Sequence, residues 1–255
     1  MNARMRYWLD LVLVMTRKDL KVRYQNNLLG YFWSIAHPLA LAAVYYFAFK
    51  VIVRIPMEAF ALFLIIGVFP WQWTSNSVSV ASTVFLSNSS IIKKVAFPRS
   101  VLPLSGVLQD MLHYILSLPV IWLFIAIFHK PASPAWIYGI PVLLGVQFFL
   151  TYGLALLVSS INLFFRDLER LVTILLTLAF YVTPIIYPLE MVPVKFRWLI
   201  YANPFAGMII GWQKLFLEGY LALDWLGISL AYAALSYALG RWVYGRLNWR
   251  FAEVL

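Results

Sequence analysis

VLPLSGVLQDMLHYILSLPVIWLFIAIF, residues 101–128, carries a single carboxylate, Asp110, and a single histidine, His113, in an otherwise apolar run. At 1.5 Å per residue a helix of this length crosses a hydrocarbon core, which takes ~20 residues. Backbone groups cannot be left unpaired in lipid, and the run is too long and too uniformly apolar for an alternating barrel strand, so it reads as a membrane helix. Outward from it lie further runs of the same kind at 30–53, 60–81, 136–161, 171–186 and 225–247, of which 171–186 is short. The expected fold is an all-α polytopic membrane protein with six transmembrane helices.

Composition agrees. Of the 255 residues, 63% are apolar and 12% charged, against ~45–50% and ~25% in soluble domains. Mean hydropathy is +0.83. Soluble globular, disordered and fibrous folds are excluded. The net charge of +10 would suggest nucleic acid in a soluble protein, but here the basic residues lie between apolar runs, so no nucleic-acid partner is expected. The absence of cysteine excludes disulfides, thiolate nucleophiles and thiolate metal sites. No signal-peptide pattern is read in the first thirty residues.

Sorting the basic residues gives orientation. Cytoplasmic termini place Arg4, Arg6, Arg17, Lys18, Lys21, Arg23, Lys93, Lys94, Arg99, Arg166, Arg170, Arg241, Arg246 and Arg250 inside, and only Lys50, Arg54, Lys130, Lys195, Arg197 and Lys214 outside. That is the positive-inside bias. Residues 1–29 form the first unit, a cytoplasmic amphipathic interface helix: Trp8, Val12 and Met15 share one helical face, with Asp10, Arg17 and Lys21 opposite. Residues 30–255 form the second, the six-span domain. Between its fifth and sixth spans, residues 184–223 alternate breakers with short apolar pieces at 196–201 and 205–217, which fit outer re-entrant helices better than further crossings.

Catalytic signatures are absent. There is no GxSxG, no HExxH and no GxxxxGK[ST], and His37, His113 and His129 are far apart in sequence, so no catalytic or metal-binding residues are expected. Asp110 and His113, three residues apart, share a helix face inside the membrane; a pair there either locks the bundle by hydrogen bonds or serves transport. Thr74, Ser75, Ser77, Ser79, Ser82 and Thr83 make the inner half of the second run polar, which suits close helix packing or a wet pathway. Aromatic residues are dense between the midplane and the outer leaflet: Tyr45, Tyr46 and Phe49; Phe69, Trp71 and Trp73; and Phe180, Tyr181 and Tyr187. They serve as interface belt and core, or as a path on which the C–H faces of sugar rings slide.

An ordered set of short motifs is familiar. Arg17-Lys18-Asp19-Leu20-Lys21-Val22-Arg23-Tyr24, then Leu29-Gly30-Tyr31-Phe32-Trp33 and Pro38-Leu39, precede Lys93-Lys94-Val95-Ala96-Phe97-Pro98-Arg99 with Leu102-Pro103. Phe165-Arg166-Asp167-Leu168, Thr183-Pro184-Ile185-Ile186-Tyr187 and Asn203-Pro204 follow. Each is weak alone, but the order over nearly the whole chain resembles the permease subunits of type-2 ABC polysaccharide exporters, those for O-antigen, capsule and teichoic acid, and O-antigen most of all.

The resemblance implies a homodimer in the bacterial inner membrane with two copies of a separate nucleotide-binding ATPase subunit. ATP and magnesium would be bound there and no cofactor in this chain. The cargo would be a lipid-linked polysaccharide. Arg17, Lys18, Lys21 and Arg23 would rest on the ATPase, and the loop with Lys93, Lys94, Phe97, Pro98 and Arg99 would couple to it, with Phe97 as the plug; positive-inside topology alone also accounts for these charges. The first and fifth spans would line the path, and the re-entrant pieces would help close it. Two other readings compete: a permease for a small lipid-like or drug substrate, with a smooth lateral portal, and a membrane-embedded transferase, for which only Asp110 and His113 come close to a catalytic cluster.

Overall fold

A computed structural model describes residues 3–24 and 32–254, and among the described residues there are helices and turns but no strand. Helix α1 (Ala3–Tyr24) precedes α2 (Phe32–Tyr46), which runs on through a wider π-helical segment, Phe47–Ile52. Then come α3 (Phe60–Ser87), the short α4 (Ser89–Lys94), α5 (Val101–Ile127), α6 (Ala135–Asn162) and α7 (Leu168–Val182). After two 3-10 turns the chain forms α8 (Arg197–Tyr201), α9 (Ala206–Leu217) and α10 (Leu223–Leu247), and it closes with a 3-10 turn, Asn248–Arg250, and α11 (Phe251–Val254).

Three segments, Ile35–Ile52, Val101–Ile127 and Ala135–Asn162, are long and apolar enough to cross a membrane by length and composition alone. Helix α3 has the length, but Gln72, Asn76 and its serines dilute it, and α7 has 15 residues, about 22 Å of rise. The boundaries differ most from those read in the sequence at two places. The second run continues to Ser87, with Ser82 Oγ and Ser87 Oγ donating back to Ser79 O (2.6 Å) and Thr83 O (3.0 Å). The fifth stops at Val182 rather than 186, because Pro184 disfavours helical backbone at the residue before it. Thr183 is extended at φ −80°, ψ 139°, and its Oγ1 donates to Ala179 O at 2.6 Å. Ile185 and Ile186 are buried in the turn beyond.

The apolar piece at 205–217 is a helix, α9, and nearly all of it is buried, packed on α3, α6 and α10. With no aqueous driving force between apolar helices, close approach and hydrogen bonds decide their pairing. The most extensive pairing, α6 with α10, is a crossing of small residues: a Cβ on Gly240 would overlap the Gly153 carbonyl oxygen, and Ser236 Oγ donates to Leu150 O at 3.2 Å.

Polar side chains tie the rest. Gln147, fully buried in α6, donates from Nε2 to Pro70 O (2.7 Å) and Thr74 Oγ1 (3.0 Å) of α3, and its Oε1 accepts from Trp212 Nε1 of α9 (2.9 Å). Replacing Gln147 with leucine orphans the buried Trp212 N–H, at a cost of ~1–3 kcal/mol. The expected result is a melting temperature of the detergent-solubilised protein about 5 °C lower; an unchanged melting temperature would remove Gln147 as the tie between these helices.

Helix α1 lies across the N-terminal end of α5. Val12 is buried against Val101 and Leu104 with Leu11 and Met15 beside it, and Asp19 Oδ2 accepts from Ser105 Oγ at 2.8 Å. Its other face mixes Tyr7, Leu13 and Val14 with Arg6, Arg17 and Lys21, all exposed. Trp8, read in the sequence on one helical face with Val12 and Met15, is exposed.

Candidate translocation cleft and cytoplasmic face

Tyr45 of α2, Trp71 of α3, and Phe180 and Tyr181 of α7 converge on one open cleft. The Phe180 ring centroid is 5.3 Å from Tyr45, 5.8 Å from Trp71 and 5.3 Å from Tyr181. The cleft has a volume of about 270 Å³ and is also lined by Gln72, Ser75 and Ser79 of α3 and Thr173 and Thr177 of α7. The two threonine hydroxyls donate to Glu169 O (3.0 Å) and Thr173 O (2.8 Å) of their own helix, and each keeps acceptor capacity. Because α3 and α7 run in opposite directions past it, one end of the cleft is aromatic and the other is rich in hydroxyls. Helix α7 supplies one wall and is packed lightly, with Val172 and Phe180 its only buried residues and Leu171, Ile174, Leu175 and Leu178 exposed.

The other expected path residues lie elsewhere. Trp73 turns into the core, stacks on Tyr114 (5.7 Å) and donates from Nε1 to Val107 O (3.2 Å). Phe69 is buried beside a smaller cavity of about 40 Å³ lined also by Gln72, Asn76, Asp110, His113 and Tyr114. Phe49 is half-buried with its ring 6.5 Å from Tyr45, and Tyr46 is exposed with its ring 6.3 Å from Phe60. Tyr187 caps α7, its Oη donating to Tyr181 O (3.1 Å) and Val182 O (2.9 Å); burial raises its phenol pKa. Asp110 and His113 do meet, His113 Nδ1 lying 3.7 Å from Asp110 Oδ1 while Oδ2 accepts from Ser77 Oγ at 3.0 Å.

At the opposite pole, Lys18 Nζ sits 3.1 Å from Asp19 Oδ1 and donates to Asn88 Oδ1 at 3.3 Å. Arg17 and Lys21 are exposed, and the side chain of Arg23 lies outside the described residues. The expected coupling loop follows α4. Lys93 and Lys94 in the last turn of α4, with Val95, Ala96, Phe97, Pro98 and Arg99, line one side of an open cleft of about 580 Å³, and Tyr244, Asn248 and Trp249 line the other. Phe97 is half-buried and packs on the cluster that contains Phe85, Leu102, Leu163 and Phe251. In the second loop Arg166, Asp167, Glu169 and Arg170 are exposed, and the Glu169 N–H donates to Asn162 Oδ1 at 3.0 Å.

The profile of the ABC-2 type transporter family matches residues 10–217. The chain belongs to that family. The O-antigen export system permease protein RfbA of Klebsiella pneumoniae is 43% identical over all 255 residues, covering 98% of the relative. RfbA of Myxococcus xanthus is 32% identical over 236 residues, 89% of this chain and 90% of that one. The polysialic acid transport protein KpsM of Escherichia coli is 20% identical over 224 residues, 86% and 84% of the two chains.

For this ABC-2 transporter chain the geometry gives reasons for motifs that stood out only by their order. Thr183-Pro184 and Asn203-Pro204 are tied to one another: Asn203 Nδ2 donates to Thr183 Oγ1 at 2.8 Å, and Gln213 Nε2 of α9 donates to Pro184 O at 2.8 Å. The turn after α7 is thereby pinned to α9. Residues the sequence reading missed are Gln147, Trp212 and Phe251. A lone Gln inside the apolar run 136–161 was the available signal for the first; nothing local marks the others.

Proposed function

We propose that this chain is the membrane-spanning permease subunit of an ATP-driven exporter that moves a lipid-linked polysaccharide of the O-antigen type across the bacterial inner membrane. The full-length 43% identity to an O-antigen export permease carries this reading. The cleft supports it, because flat aromatic faces and hydroxyl acceptors suit a hydrated sugar chain that must slide without being held.

In this reading the chain has two parts, the interface helix of residues 1–29 and the six-span domain of residues 30–255. The six crossings are α2 with its π-helical extension, α3, α5, α6, α7 and α10. Helices α8 and α9 enter from the outer face as re-entrant elements, and both termini are cytoplasmic. Two copies of the chain face each other across the cleft walls of α2 and α7, above two copies of the ATPase subunit, which binds ATP and magnesium. Tyr45, Trp71, Phe180 and Tyr181 line the path; Tyr46, Phe49, Phe69, Trp73 and Tyr187 support the gate around it. Arg17, Lys18, Lys21 and Arg23 rest on the ATPase, and the loop through Lys93, Lys94, Phe97, Pro98 and Arg99 takes up its motion. Asp110 and His113 hold α3 to α5, which the Ser77 bond to Asp110 supports.

A permease for a small lipid-like compound is the second reading, favoured by one observation. An apolar crevice of about 230 Å³ lies between α2, α3 and α5, lined by Leu39, Ala42, Ala43, Tyr46, Ala61, Ile65 and Phe124. Surface glycan in cells carrying or lacking this chain and its ATPase subunit separates the two. Glycan that reaches the surface only with both subunits is the expected result. Normal surface glycan without this chain, together with lost efflux of an apolar compound, would replace the first reading with the second.

A further inference from the structure

The backbone ties the loop after α4 at its ends, Val95 N–H donating to Ile91 O and the Val101 and Leu102 N–H groups to Pro98 O and Arg99 O. From Val95 to Pro98 the chain is neither helix nor turn, and a stretch of this kind with no further support bends under a push instead of passing it on. Tyr152 of α6 donates from Oη to Ser100 O at 3.4 Å, and the remaining side-chain ties come from the far end of the chain. Arg99 Nη1 donates to Asn248 O at 2.6 Å, across 149 positions of sequence, and its guanidinium lies 6.0 Å from the Phe251 ring centroid. The Ser100 N–H donates to Tyr244 Oη at 2.9 Å. Phe251 itself is fully buried, 4.7 Å from Phe85 of α3 and 5.9 Å from Tyr244 of α10. Phe97 packs against this same cluster, which also takes in Leu102 of α5 and Leu156 and Leu163 at the inner end of α6. Tyr244, Asn248 and Phe251 lie beyond residue 217, where the family match ends.

We propose that the C-terminal segment 244–251 is a brace for the coupling loop, with Phe251 and Tyr244 as positioning residues that clamp it to the inner ends of α3, α5, α6 and α10. The inference rests on the reading of that loop as the coupling element. A charge-assisted hydrogen bond, a cation over a ring and a close-packed aromatic cluster together are stiff. A displacement of Phe97 is therefore delivered to the helix ends around it as one body. Without the brace the ATPase subunit still docks and turns over, and the motion is lost in the loop.

The test compares Phe251→Ala, Phe251→Leu, Tyr244→Phe and Phe97→Ala in the full-length chain assembled with its ATPase subunit. Assembled complex, ATP hydrolysis and surface polysaccharide are measured in the same strains. For Phe251→Ala the complex assembles and hydrolyses ATP within about twofold of wild type, while polysaccharide exported per ATP falls about tenfold, and Phe251→Leu restores most of it. A fall in export that only follows the amount of complex, at unchanged export per ATP, overturns the brace. Should Phe251→Ala fail to accumulate, Tyr244→Phe decides, since it deletes one hydroxyl: export per ATP falls about threefold, and an unchanged ratio overturns the proposal. Phe97→Ala separates the two readings. Normal export from Phe97→Ala overturns the coupling-loop reading and the brace with it, whereas uncoupling by Phe97→Ala with normal export from Phe251→Ala overturns the brace alone.

Discussion

Replacing Gly240 with leucine is expected to remove most of the protein from the membrane fraction. Helices α6 and α10 approach so closely that a Cβ at Gly240 would overlap the Gly153 carbonyl oxygen and lie 3.2 Å from Leu156 Cβ. The obstacle is partly backbone, which cannot rotate away, so the helices must separate along the most extensive pairing in the fold. Separation also stretches the Ser236 hydroxyl from Leu150 O. Overpacking of this kind costs ~1–3 kcal/mol or more, and a loss of that size changes abundance several-fold in cells. An immunoblot of membranes should show a fall of about tenfold at equal expression. Gly227 is the internal control, since nothing lies within 4 Å of its Cβ position on the same helix; Gly227→Ala should accumulate normally. Normal accumulation of Gly240→Leu would mean that α6 and α10 do not cross at these residues.

Thr177→Trp is expected to abolish export while leaving the fold alone. Thr177 is exposed on α7 and faces the cleft that Tyr45, Trp71, Phe180 and Tyr181 also line. Its hydroxyl donates to Thr173 O of its own helix, and substitutions at such exposed positions change stability by about 0.5 kcal/mol or less. An indole there fills much of a 270 Å³ cleft and replaces a hydroxyl with an apolar edge where the hydrated chain would pass. Surface polysaccharide should drop about tenfold or more, with normal amounts of chain in the membrane, and Thr177→Ser should export normally. Wild-type export from Thr177→Trp would move the path away from the α2, α3 and α7 cleft.

Among the expected path residues, the separation between those at the cleft and those away from it is instructive. Trp71 and Trp73 are two residues apart in one helix, so they point ~200° apart around it. One faces the cleft and the other donates to Val107 O inside the core. Both looked alike in sequence, because hydropathy and aromatic density carry no information on helix rotation. Asp110 and His113 were legible as a pair, since i, i+3 spacing on a helix brings side chains together whatever lies outside. Phe97 and Arg99 were legible as a loop of mixed chemistry between two apolar runs, but their partners were not, because Asn248 and Phe251 are ordinary residues in a basic C-terminal stretch.

Run length and composition alone determined that this is a helical membrane protein, because lipid offers the backbone no hydrogen-bond partner and leaves the helix as the economical solution. The breakers at Pro184 and Pro204 likewise marked where helices stop, since proline restricts its neighbour through local sterics. Only the tertiary structure decided which faces meet. The Gly153–Gly240 crossing, the Gln147 tie between Pro70 and Trp212, and the clamp of Arg99 on Asn248 join residues 65 to 149 positions apart. In a chain this apolar nearly every helix face is hydrophobic enough to be buried, so which face is buried depends on close approach and on a few polar partners that exist only once the helices are together.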